Sequence, residues 1–161
     1  MWLELAPGAV MGLNAAVLLL LHALSVVIAL KLPLRSLVRD GPLTRLRQFE
    51  ADGRLYERSL AIRRWKDKLP DGGSWINCGF SKRSLQSGHT EYLSRFTAET
   101  RRGELAHWMM LLPIPLFFLW NSAFGMIVIL IYSLIANIPC ILVQRYNRSR
   151  LLKAMSRKRR L

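Results

Sequence analysis

A glutamate and a histidine three residues apart, Glu104 and His107, stand where a charged, helix-forming segment runs into an apolar one. Residues i and i+3 of a helix share a face. A carboxylate so placed can hold the imidazole in one tautomer and make it a better general base. Such a base suits deprotonation of a hydroxyl that attacks an activated acyl carbonyl. Thr100 falls between the two in angle, and Glu99 lies about 80° from His107 on the helical wheel. With Arg101 and Arg102, the segment from Glu99 to Trp108 brings two carboxylates, two arginines and a histidine to an apolar run that begins at Leu105. Ionisable groups at membrane depth are functional candidates by default. The plainer reading is a helix start with acid in its first turn and arginines among the headgroups. Glu-x-x-His is also the spacing of carboxylate-bridged di-iron helices, but that site needs a second such motif. Only one occurs here, so no metal is expected.

A second cluster, Gln144-Arg145-Tyr146-Asn147-Arg148, follows another apolar run. Arg145 and Arg148 are again three apart, and their guanidinium forks match the oxygens of a phosphate. The competing reading is a cationic anchor after a span, which is preferred outright for Arg157 to Arg160. A third group places Arg63, Arg64, Lys66 and Lys68 around Trp65. It reads either as a membrane-surface anchor or as a site for phosphate or lipid headgroups. Gly72-Gly73-Ser74 lacks the flanking pattern of a nucleophile elbow and is discounted. Cys78 and Cys140 have no metal-type spacing, and a disulfide between them is not expected because Cys140 lies inside an apolar run.

The elements that position these groups follow from composition and charge. Hydrophobic residues make up 52% of 161, beside a net charge of +14. A soluble core of this size cannot hide so much apolar surface, and the apolar residues are clustered. Basic excess points to nucleic acid or to an anionic membrane face, and apolar spans favour the membrane. Membrane lipids are therefore expected partners and nucleic acid is not.

The fold class expected is an all-α integral membrane protein, one domain over 1–161, with three spans at about 9–30, 102–120 and 123–143. Asn14, His22 and Ser25 interrupt the first span. It has no basic segment before it, as a cleaved signal peptide would, so a retained span is expected. Pro113 and Pro115 should kink the second. Asn121-Ser122 makes the turn into the third, which carries Asn137 and Pro139. Between the first two spans, 31–101 reads as a basic region with amphipathic interfacial helices. Lys31 to Arg39 would lie along the membrane with leucines down, and Leu55 to Lys68 would form a short helix. That helix should stop at Leu69-Pro70-Asp71-Gly72-Gly73, 74–87 reads as a loop, and helix resumes from about Thr90. All 24 lysines and arginines fall within 31–102 and 145–160. The positive-inside rule then puts the N-terminus outside, and both 31–101 and the tail 144–161 in the cytoplasm.

Arg64-Trp65-Lys66, Lys68, Asp71-Gly72, Glu99-Thr100, Arg102, Glu104-Leu105, His107-Trp108, Pro113, Asn137, Pro139, Gln144 to Arg148 and Arg150-Leu151 together resemble the glycosyl-4,4'-diaponeurosporenoate acyltransferases. The likeness runs from about Phe49 to Leu151. It implies a small membrane enzyme of carotenoid biosynthesis that esterifies the sugar primary hydroxyl of a glycosylated carotenoid acid, the last step towards a staphyloxanthin-type pigment. The catalytic residues expected are His107 as base and Glu104 as its orienter, with Glu99 beside them. The substrate-binding residues expected are Trp65, Lys66, Arg102, Asn137, Gln144, Arg145, Tyr146, Asn147 and Arg148, with Arg145, Arg148 and Lys66 on the donor's phosphate. No resident cofactor is expected; acyl-CoA enters as co-substrate, and an amphiphilic glycolipid is the acceptor. Three spans make a thin wall around two lipid tails, which a homodimer would thicken. Two alternatives stay open: an acyltransferase acting on another glycolipid or lipid, and a non-catalytic subunit that binds lipid or a partner.

Overall fold

The computed structural model describes Leu3 and residues 5–50, 53–69 and 87–158, and among them the regular structure is all helical. Prolines set the ends of the first helix. Pro7 opens α1 (Pro7–Lys31), where a missing N–H is no loss. The helix stops at Leu32, extended, because the ring of Pro33 disfavours helical backbone in the residue before it. Leu19 is 71% exposed and Leu20 56%. Each such leucine forfeits about 1.5–3 kcal/mol if it faces water, so this surface suits an apolar surrounding. The buried side of α1 carries Ser25 and Ala29, a turn apart, whose small size lets a neighbouring helix come close. The Ser25 hydroxyl is satisfied within the helix, donating to the His22 carbonyl at 2.9 Å.

α3 (Thr90–Leu111) and α4 (Ala123–Lys158) pack antiparallel along one another. At one end Leu93 and Phe96 meet Leu151 and Met155. In the middle Gly103 faces Gln144. At the far end Phe117 packs with Met126 and Ile129, and Val10, Leu13 and Val17 of α1 close that cluster. α4 is one helix of 36 residues, with Pro139 inside it. A proline in a long apolar helix removes one backbone bond without ending the helix when neighbours support it.

Among the described residues, α1 and α4 are the two helices long and apolar enough to cross a membrane. The expected second span is not a single helix. α3 ends at Leu111, and a 3-10 turn from Ile114 to Leu119 carries the chain on to Trp120. Pro113 and Pro115 lack the donors a continuous helix would need there. Both ends of this stretch are nevertheless tied to α1. Arg102 donates to the Leu32 carbonyl at 2.9 Å, and the Trp120 indole donates to Asn14 Oδ1 at 2.7 Å. Asn14 and Asn121 also exchange a pair of amide bonds of 2.8 and 2.9 Å. Asn14 and Leu32 are separated along α1 by about 27 Å at the helical rise. The kinked stretch 102–120 therefore runs alongside α1 between these two ties.

The basic region folds back onto these helices. Leu34–Leu37 is a 3-10 turn whose Leu37 is buried, and Arg101 of α3 donates to the Leu37 carbonyl at 3.0 Å and pairs with Asp40. The segment thus docks on protein through Leu37, while Val38 beside it is 52% exposed. The helix expected over 55–68 is shorter. α2 covers Arg54–Ser59, and Ala61 in the left-handed region breaks it before two 3-10 turns, Ile62–Arg64 and Lys66–Lys68. The helix stop from Pro70 to Gly73, most of the loop over 74–87, Cys78, and Arg159 with Arg160 lie outside the described residues. Cys140 is a half-buried free thiol.

Candidate functional site

The α3–α4 register brings the two sequence clusters face to face. Glu104, fully buried, accepts from Arg145 Nη1 on one oxygen and from Arg148 Nη2 at 2.6 Å on the other. The Trp108 indole donates to the first of these oxygens at 3.3 Å. Arg145 also pairs with Glu50 at 2.6 Å, and its remaining donors reach the carbonyls of Leu43 and Arg45. Arg148 Nη2 donates in addition to the Thr44 carbonyl at 2.6 Å, while its Nε and Nη1 have no partner among the described residues. Two carboxylates and two guanidinium groups thus close a neutral cluster, with residues 43–50 wrapped over it. Neutrality matters because removing one partner of a buried pair typically costs about 3–5 kcal/mol.

This differs from the spacing-based expectation in two respects. Glu104 was expected to orient His107, yet both its oxygens are engaged by arginines that α4 delivers. Arg145 and Arg148 were expected to hold a donor phosphate, and in this structure Glu104 and Glu50 occupy that anionic position. Two guanidinium groups delivered by the next helix bind a carboxylate more strongly than an imidazole on the same helix does. His107 is half-buried, one turn further towards the apolar part of α3, and its Nδ1 lies 2.9 Å from Asn137 Oδ1. Asn137, 3% exposed, donates from Nδ2 to the Ser133 carbonyl at 2.9 Å.

Other expected site residues divide into those that converge here and those that do not. Glu99, 4% exposed, pairs with Arg102 at 2.8 Å, at the exit of α1. Gln144 packs across Gly103, and its Oε1 has no partner among the described residues. Asn147 is half-buried beside the cluster. Tyr146 packs with Tyr56 and Ile62, and Trp65 lies against this group, so the Trp65 segment does reach the Tyr146 part of α4. The Tyr146 hydroxyl donates to Glu57 at 2.8 Å and accepts from Arg63 at 3.2 Å. That hydroxyl, helped by Arg63 and Arg150, holds the Glu57 carboxyl below its usual range. Burial pushes the Tyr56 hydroxyl up to about 12, with the Glu50 charge adding to the effect. Among the described residues Lys66 pairs with its neighbour Asp67, at 2.6 Å near the surface.

Sequence reasoning missed Glu50, Asp40 and the carbonyls of residues 43–45. The carbonyls carry no sequence signal at all. Asp40 did carry one, since it is the single acid between Lys31 and Phe49, whereas Glu50 has Asp52 close by and does not stand out. Among the described residues no three His, Cys, Asp or Glu side chains gather as metal ligands.

The family described as glycosyl-4,4'-diaponeurosporenoate acyltransferase matches residues 42–157, which takes in everything from the wrapped segment to the end of α4. Two curated relatives with that name, from Staphylococcus aureus strains N315 and USA300, are each 35% identical over 105 residues. The match covers 64% of this chain and spans 62% of the relatives' length. No solved structure matches the chain.

Proposed function

The chain belongs to the glycosyl-4,4'-diaponeurosporenoate acyltransferase family, and from that premise we propose that it esterifies a sugar hydroxyl of a glycosylated carotenoid acid with a fatty acyl group. The reaction takes place at the cytoplasmic face of the cell membrane. Three crossings, with the N-terminus outside and the tail inside, bring both clusters to that face. The ties from Arg102 to Leu32 and from Trp120 to Asn14 support the middle crossing. About 27 Å of helix is close to the thickness of a bilayer core. Both substrates are amphiphiles whose tails lie in the bilayer and whose reactive ends meet at its surface.

One observation carries the reading: His107 is a half-buried imidazole directly beneath a closed ionic cluster, at the boundary between polar and apolar parts of α3. His107 takes the proton of the sugar hydroxyl as its oxygen attacks the acyl carbonyl of a CoA thioester. The carbon–sulfur bond breaks, and the proton passes from His107 to the departing thiolate, leaving an ester and free CoA. Lys66 and Arg64 supply the donor's phosphate contacts. Surface ion pairs such as Lys66–Asp67 contribute about 0–1 kcal/mol and exchange readily for a phosphate.

The test is His107→Ala in membranes given acyl-CoA and the glycosylated acid, with products read by lipid and pigment mass spectrometry. Loss of a general base should lower turnover by about a hundredfold or more. Undiminished transfer overturns the base assignment. Acylation of a different glycolipid in preference to the carotenoid overturns the acceptor, and silence of His107→Gln together with no acyl transfer of any kind favours a non-catalytic subunit.

A further inference from the structure

We infer that Asn137 is the positioning residue for His107, fixing the imidazole with its proton on Nδ1 and its basic nitrogen at Nε2. The assignment comes from the order of donors and acceptors along α4. The Ser133 carbonyl can only accept, so the nitrogen of the Asn137 amide must face it, at 2.9 Å. The amide oxygen is then the atom that faces His107, also at 2.9 Å, and an amide oxygen can only accept. The ring nitrogen between them must donate, and a neutral imidazole that donates from Nδ1 carries its lone pair on Nε2. Both ends of the Asn137 side chain are used inside the protein. Asn137 therefore acts through His107 and does not hold substrate.

An asparagine suits this depth. Asn137 lies about 12 Å along α4 from Arg145, in a run of apolar residues. A carboxylate would have to be buried there at high cost, whereas a neutral amide fixes the ring without adding a charge. The same division of labour, a histidine oriented by an asparagine, occurs in unrelated cysteine proteases. Glu104 is thereby left with a different task, closing the ion cluster above.

The catalytic consequence rests on the acyl-transfer reading of His107; the tautomer does not. The experiment therefore measures both. Full-length protein labelled with 15N-histidine is examined by NMR in detergent micelles, with His22 and His89 assigned by substitution to Gln, and acyl transfer is followed in parallel. The wild type should show a protonated Nδ1 and a pyridine-like Nε2 at His107. Asn137→Ala should lose that preference and lower kcat by about tenfold or more, with KM held within about twofold. Asn137→Gln, which keeps an amide with both an acceptor and a donor, should recover the tautomer and part of kcat. A wild-type His107 protonated at Nε2, or an Asn137→Ala protein with unchanged tautomer and kcat, overturns the inference. If Asn137→Ala disturbs folding, the wild-type tautomer and the Asn137→Gln rescue decide it. If the tautomer behaves as stated but His107→Ala leaves transfer intact, Asn137 still positions the ring and the base assignment alone fails.

Discussion

At the scale of single residues, the charge balance at Glu104 governs how the site holds together. Glu104→Gln keeps the shape of the side chain and removes the charge that faces Arg145 and Arg148. The expected outcome is a loss of about 3–5 kcal/mol of stability, seen as a lower unfolding temperature in detergent. The double variant Glu104→Gln with Arg148→Met should recover part of that loss, because it no longer strands a buried guanidinium. His107→Gln, by contrast, should leave the unfolding temperature nearly unchanged, which separates a proton-transfer role from an architectural one. Tyr56 gives a pH signature. Its hydroxyl is raised in the folded state from 10.0 to about 12, so the folded form binds the proton more tightly. The stability linked to it is fully present below pH 10 and is lost as pH rises from 10 to 12. Tyr56→Phe should flatten the unfolding temperature across that window relative to the wild type. The residue types at the site were legible from sequence, because Glu104, His107, Arg145 and Arg148 stand out at helical spacing. Their pairing was not. Spacing within one helix says which side chains share a face, but the partner of a buried carboxylate is set by whatever charge the neighbouring helix brings.

At the scale of elements, two glycines sit where segments approach closely, and they should respond differently to substitution. Gly53 opens α2 with φ +70, and a Cβ there would lie 2.8 Å from the Ser149 hydroxyl oxygen. Ser149 is fully buried and its hydroxyl donates to the Tyr146 carbonyl, so it has little room to move away. Left-handed backbone alone costs a non-glycine residue about 1–2 kcal/mol. Gly53→Ala should therefore lower the unfolding temperature measurably, through strain and clash together. At Gly103 an added Cβ would meet the end of the Gln144 side chain at 3.1 Å, in an ordinary helical conformation. A flexible side chain can yield there, so Gly103→Ala should be much milder, and comparing the two by thermal unfolding tests the packing directly. The long apolar elements were legible because length and hydropathy suffice for them. The short helix over 55–68 was misjudged, since its break is a left-handed Ala61 with neither glycine nor proline to announce it. The division of 102–120 into helix and 3-10 turn was half visible, because Pro113 and Pro115 announced a kink but not its geometry.

For the whole molecule, the question is how many times the chain crosses the bilayer. Among the described residues, only α1 and α4 have the length and hydropathy of single spanning helices. Two crossings would put the turn at Ser122 on the same side as Ser36. Three crossings put them on opposite sides, and they also segregate every lysine and arginine to one face. The amide and indole bonds among Asn14, Trp120 and Asn121 argue for three. They fasten the end of the kinked stretch to α1 close to its beginning, while Arg102 fastens the other end beside Leu32. A stretch that turned back halfway could not satisfy both ties. Single cysteines at Leu5, Ser36, Ser122 and Ser156, in a background with Cys78 and Cys140 changed to serine, test this with a membrane-impermeant maleimide. Leu5→Cys and Ser122→Cys should label in intact cells, and Ser36→Cys and Ser156→Cys only after the membrane is opened. Labelling of Ser36→Cys and Ser122→Cys from the same side would remove the middle crossing, and with it the argument that the α3 and α4 clusters meet at the cytoplasmic surface.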